Sequence, residues 1–272
     1  MTGTHKPYQI SLFKMRLRQG LTYRTAALAG VATQFFWGMI LIMMFTAFYG
    51  ETEVVNGFTR SHLVTYIWLQ QAFLAFIALW MRDSDLFALI ESGNIAYELC
   101  RPINLYTFWY TKLLSTRLAS AALRCLPILL VALFIPKPYN LSLPSSGMTL
   151  VLFILSLLLG VMINVAISMF IYISVFITLS PTGSLLLFSV VGEFLAGMVI
   201  PIPLMPETLR QILNFLPFRY TADLPFRIYS GNLSRTESIT GIIIQLVWLI
   251  LLPVVGDWLM KKALKHLVVQ GG

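Results

Sequence analysis

Apolar residues fall in six long stretches, near residues 25–49, 62–81, 118–135, 148–179, 184–200 and 239–260. Most approach or exceed the roughly 20 apolar residues that a helix needs to cross a bilayer, where every backbone polar group must be satisfied internally. The predicted fold is therefore an all-α integral membrane protein with six transmembrane helices in a single domain. The fourth stretch is unbroken and uncharged; as a helix it outruns a hydrocarbon core of about 30 Å, so it tilts or protrudes. Ahead of the first span, residues 8–24 mix Ile10, Phe13, Met15 and Leu17 with Lys14, Arg16 and Arg18. They read either as an amphipathic helix lying in the interface or as a plain basic flank.

Composition agrees with this pattern. Hydrophobic residues make up 58% of the 272 and charged residues 11%, against about 25% charge in a soluble domain. The net charge of +8 does not point to nucleic acid, because Lys and Arg gather at the ends of apolar runs, as at cytoplasmic flanks. Lys6, Lys14, Arg16, Arg18 and Arg24 precede span one; Arg82, Arg101, Lys112 and Arg117 lie between spans two and three; Lys261, Lys262 and Lys265 follow span six. Both termini are expected in the cytoplasm of a bacterial inner membrane. Residues 201–238 conflict with this, since Arg210, Arg219, Arg227 and Arg235 fall on the outer side. Cys100 and Cys125 match no metal-ligand spacing and, on the cytoplasmic side, no disulfide is expected. The first apolar run is too long for a signal peptide.

Two segments are not plain spans. In residues 82–117, Ser84 or Asp85 caps a short helix that Gly93 stops, and Leu86, Leu89 and Ile90 share one face of it. Arg101-Pro102 ends a second turn that begins near Ile95. Such a helix docks into a partner or lies on lipid. In residues 193–229, span five meets Gly192, Gly197, Pro201 and Pro203, and then stays apolar. Pro206 opens a short helix that ends at Leu216-Pro217. Apolar half-helices broken by Pro predict a segment that re-enters the bilayer under cover of protein or a water cavity.

The stretch Phe194-Leu195-Ala196-Gly197, then Pro201, Pro206, Leu216-Pro217-Phe218-Arg219-Tyr220, Asp223 and Arg227, resembles the end of the membrane domain of type-two ATP-binding-cassette exporters. Ile90-Glu91-Ser92-Gly93-Asn94-Ile95 and Leu99-Cys100-Arg101-Pro102 look like the branch holding viologen and drug exporter permeases. The resemblance implies six spans, a cytoplasmic coupling helix between spans two and three, and re-entrant helices between spans five and six. It also implies a half-transporter that pairs with a second copy or a related permease and is driven by separate ATPase subunits. No G-x-x-x-x-G-K-[ST] loop occurs in the chain, so ATP and Mg would be bound by the partner, with no cofactor in this chain. Asp85, Leu86, Leu89, Ile90 and Glu91 would couple to the ATPase.

Pathway or gate candidates are Glu193, Gly197, Pro201, Pro217 and Asn164. Glu193, set in span five, reads as a cation-attracting group in the pathway or as a structural carboxylate. Gln34, Gln70, Gln71 and Asn164 suit interhelical hydrogen bonds first and pathway lining second. Arg124 reads as a snorkelling side chain, and Trp68, Trp80, Trp109 and Trp248 as interfacial anchors. The competing functions are an ATP-independent transporter or channel, which often shows internal repeats, and an intramembrane enzyme, for which paired acids or an H-E-x-x-H helix would be needed. The chain shows neither. A hydrophobic or amphipathic cargo (drug, lipid or peptide) suits the apolar walls.

Overall fold

The computed structural model describes residues 8–20, 24–50, 52–178 and 180–265. Of the positions discussed above, Lys6, residues 21–23 of the amphipathic stretch and Leu179 lie outside these. The described chain runs through α1 (Tyr8–Gly20), α2 (Arg24–Tyr49), a hairpin of β1 (Val54–Val55) and β2 (Phe58–Thr59), α3 (Arg60–Ala72), α4 (Leu74–Ile77), α5 (Ser84–Glu91), α6 (Ile95–Leu99), α7 (Leu105–Phe134), α8 (Gly147–Thr178), α9 (Pro181–Leu195), α10 (Glu207–Leu213), α11 (Asp223–Ser230) and α12 (Arg235–Lys265). Single 3-10 turns occupy Ile202–Leu204 and Phe218–Thr221.

The fold is all-α and membrane-spanning. Among the described residues, four helices are long and apolar enough to cross a bilayer: Gly30–Tyr49, Leu105–Phe134, Gly147–Thr178 and Arg235–Lys265. The other two expected spans are interrupted. α3 and α4 form one rod with a joint at Phe73, whose N–H still donates to the Leu69 carbonyl. The rod ends at Ala78, where the backbone turns extended (ψ 119°). From Arg60 to Ala78 it covers about 27 Å, just short of a hydrocarbon core. α9 is shorter still, at 15 residues. It stops at Ala196 because Gly197 adopts φ +79°, a left-handed conformation open to glycine at little cost.

The third span begins at Leu105, well before the expected start near 118. Asn104 caps it by accepting from the Thr107 N–H at 2.8 Å. The apolar run stops where Lys112 and Arg117 intervene, but the helix does not, because both side chains find buried partners. The connection after span two therefore ends near 104, not 117. Within it, the cap of α5 is Asp83 and not Ser84 or Asp85: its Oδ1 accepts from the N–H groups of Asp85 (3.1 Å) and Leu86 (3.2 Å). The loop after span one contains a hairpin turned by Asn56-Gly57, both at positive φ, a pair that favours such turns.

α3 is buried along Leu63–Ala72, enclosed by neighbours on all sides, so it carries no amphipathic stripe. α8 is the most enclosed of the four long helices. Gly160 lets the chain at Tyr220-Thr221 touch it, since a Cβ there would lie 2.7 Å from the Thr221 carbonyl oxygen. One large apolar core joins α2, α3, α7, α8 and α11. A second, at the opposite end, gathers Leu86, Phe87, Ile90, Ile95, Trp109, Tyr172 and Met260. Trp68 and Trp109 are fully buried, contrary to the expectation of interfacial anchors. Each indole N–H has an internal acceptor, the Tyr139 carbonyl at 2.8 Å and Glu98 Oε2 at 2.6 Å, which makes burial affordable.

Candidate functional site

Ending a helix inside a membrane protein strands carbonyls and N–H groups. The break in the second span at Ala78 is satisfied by three other spans. Arg117 of α7 donates through Nη1 to the carbonyls of Ala78 (2.8 Å) and Phe76 (3.3 Å), and through Nη2 to Ser168 Oγ of α8 (3.0 Å). Asn164 of α8 donates to the Phe76 carbonyl at 2.9 Å. From α9, Glu193 Oε1 accepts from the Leu79 N–H at 3.2 Å. Arg117 and Asn164 are all but inaccessible, at 4% and 1% exposure. Arg117 was read above as a basic flank; it is instead the centre of this junction. Its signal was spacing: Tyr110, Arg117 and Arg124 recur at seven residues and so share one helix face.

The end of the fifth span is tied to the same rod about two to three turns before Ala78. The Gly197 carbonyl accepts from Gln70 Nε2 at 2.9 Å and lies 3.2 Å from the Tyr66 hydroxyl. That hydroxyl is also 3.3 Å from Asp223 Oδ1. Asp223 is fully buried and sits between Arg219 (3.3 Å) and Arg227 (3.6 Å). Arg210 pairs with Glu207. Three of the four arginines that conflicted with the charge pattern thus have internal acidic partners. Gln245 of α12 donates to the carbonyls of Ser156 (2.9 Å) and Tyr220 (2.8 Å), clamping the segment after Pro201 between α8 and α12.

Beside the junction lies a groove of about 460 Å³ between α2, α3, α7 and the end of α9. Trp37, Trp80, Gln34, Gln71, Arg124 and Glu193 help to line it. Of the five pathway or gate candidates, Glu193 lines this groove. Asn164 is engaged at the junction, Gly197 is the hinge that ends α9, and Pro201 and Pro217 are buried in the segment behind it. Arg124 faces Gly30 of α2 across the groove and does not snorkel away from the protein.

At the other end, the five coupling candidates divide. Asp85 and Glu91 are exposed and Leu89 is half-buried. Leu86 and Ile90, at 0% and 4% exposure, are packed inside this chain and are not presented to a partner. The amphipathic face that suggested docking is the face that anchors the helix. Its base is pinned by a buried ion pair, Lys112 Nζ to Asp83 Oδ2 at 2.9 Å, and by the Asp83 N–H donating to the Tyr172 hydroxyl of α8 at 2.8 Å. Phe87 stacks on Tyr172 with ring centroids 4.6 Å apart.

A known protein family matches most of this chain. The model described as ABC-2 family transporter protein covers residues 35–271. The chain belongs to that family. No curated protein matches it. As an ABC-2 permease it is a membrane transport subunit and not a catalytic one. The match begins within α2 and takes in both the α5 anchor and the junction around Ala78.

Proposed function

We propose that this permease is the membrane half of an ATP-driven exporter, in which a separate subunit binds ATP and Mg and this chain carries a hydrophobic or amphipathic compound out of the cytoplasm. On this reading two permeases, identical or related, pair across the bare apolar faces of α2 and α9. Phe36, Trp37, Ile40 and Phe48 are exposed on the first; Leu186, Leu187 and Val190 on the second. The termini and α5 face the cytoplasm of a bacterial inner membrane. Drugs, lipids and peptides all suit an apolar pathway, and the resemblance of residues 90–102 to viologen and drug exporter permeases favours the first.

The observation that carries the reading is how α5 is mounted. Its apolar side is locked into α7 and α8 while Asp85 and Glu91 face outward. A push on that outer side would move α5 with α8, as a rigid element joining two states. The Leu86 and Ile90 side chains transmit that push, and the contact falls to Asp85 and Glu91, with Leu89 at the margin. Glu193 holds the Leu79 N–H and lines the groove, so it serves as a hinge cap in the pathway wall.

Purification of the detergent-extracted chain from its native membrane tests this. The expected result is an ABC ATPase subunit that co-purifies and hydrolyses ATP. Transport by the single chain in vesicles, without any nucleotide, would overturn the proposal in favour of an ATP-independent carrier.

A further inference from the structure

A second cavity lies apart from the groove beside Glu193. It measures about 820 Å³ and lies between the 207–233 segment and α12. Its lining changes character with depth. Near the start of α12 it meets Arg219, Arg227 and Glu237; further along it meets Ile244, Val247, Trp248 and Leu251. From Glu237 to Trp248 is about 16 Å of helix, so the Glu237 charge and the apolar wall are separated along α12. Val247 and Leu251 are exposed, and the apolar part opens toward lipid.

The charged end is unfinished. Asp223 lies between Arg219 and Arg227 and cannot neutralise both. Arg227 also donates through Nε to Asn232 Oδ1 at 2.7 Å. The Arg219 Nε is buried against Asp223 Oδ2 at 3.3 Å, and Arg219 also lines the cavity. Opposite it, Glu237 belongs to a capping box with Ser234: its Oε2 accepts from the Ser234 N–H at 2.8 Å, and its own N–H donates to Ser234 Oγ at 3.2 Å. Glu237 is exposed at the mouth of the cavity, where its carboxylate can meet a cation. Glu207, the other acid in the lining, is taken by Arg210.

We infer that this cavity is a lateral phospholipid site, selective for a headgroup in which a phosphate is followed by a primary ammonium. The phosphate meets the guanidinium of Arg219, which shares Asp223 with Arg227, in a charge-assisted pairing. The ammonium meets Glu237, and one acyl chain lies along Val247, Trp248 and Leu251. A headgroup with negative charge alone would face Glu237 unpaired, and a choline headgroup has no N–H to give. The inference needs only that the chain spans a bilayer, not that it exports anything.

Trp248 supplies the readout. The purified protein is placed in vesicles carrying acyl-brominated phosphatidylethanolamine, phosphatidylcholine or phosphatidylglycerol, and the Trp248→Phe protein gives the background from the other tryptophans. The expected result is an apparent affinity for the ethanolamine lipid at least about threefold above either other lipid. Arg219→Gln should remove that preference. Glu237→Gln, which keeps the capping box on an exposed side chain, should bring ethanolamine and choline lipids level while leaving the fold intact. Equal quenching by all three lipids in the wild type, or displacement by soluble phosphoethanolamine as readily as by the lipid, would overturn the proposal.

Discussion

Arg117→Met is expected to cost about 3 kcal/mol or more, the scale for stranding buried polar partners. The substitution keeps apolar bulk but leaves the Ala78 carbonyl without its donor, since Asn164 reaches only Phe76. It also unhooks Ser168 of α8 from the end of the second span. Arg117→Lys should fall between, because a point-like ammonium does not reproduce a planar fork that spans two carbonyls and a hydroxyl. Heating the detergent-solubilised protein and following the loss of its monodisperse chromatographic peak would rank the three. Equal melting of wild type and Arg117→Met would mean that the break at Ala78 is held by something else.

Asp223→Ala should be comparably severe, at about 3–5 kcal/mol. The carboxylate is fully buried, and its removal leaves Arg219 and Arg227 facing each other without an anion and Tyr66 without one of its two neighbouring acceptors. Asp223→Asn retains the oxygen near Tyr66 and loses only the charge, so its melting temperature should lie between those of the wild type and the alanine variant. An asparagine variant as stable as the wild type would contradict a charge-centred role.

Much of the fold was legible because the bilayer makes hydrophobic length informative. The unbroken run 148–179 became α8 at Gly147–Thr178. Gly93 and Gly197 end helices at positive φ, and Pro206 precedes α10. What escaped was decided by partners distant in the chain. Lys112 and Arg117 ended the third apolar run, yet they continue α7 because Asp83, Ser168 and the end of the second span receive them. Leu86 and Ile90 share a face as periodicity predicts; whether that face meets another protein or this one depends on Trp109 and Tyr172, which only the tertiary fold brings there. The arginines of 201–238 opposed the flank rule because counting basic residues ignores their acids, whereas Asp223 and Glu207 pair with three of them.

Glu193 illustrates the same limit. Its place in an apolar span marked it as unusual, and both readings of it were open. The structure gives it a backbone N–H to hold, at Leu79, and a position on the groove wall. A cargo entering that groove would meet a carboxylate already engaged in keeping the second and fifth spans together.

On the proposed function, motion enters this permease through the outer side of α5. Reconstituting the permease with its co-purified ATPase in proteoliposomes, and comparing wild type with Asp85→Lys/Glu91→Lys, tests it most directly. Both positions are exposed, so the doubly substituted chain should fold and insert normally. ATP-driven transport is expected to fall at least about tenfold, a loss of about 1.4 kcal/mol or more in coupling, with the permease itself intact. Transport at the wild-type rate from the charge-reversed chain would contradict it.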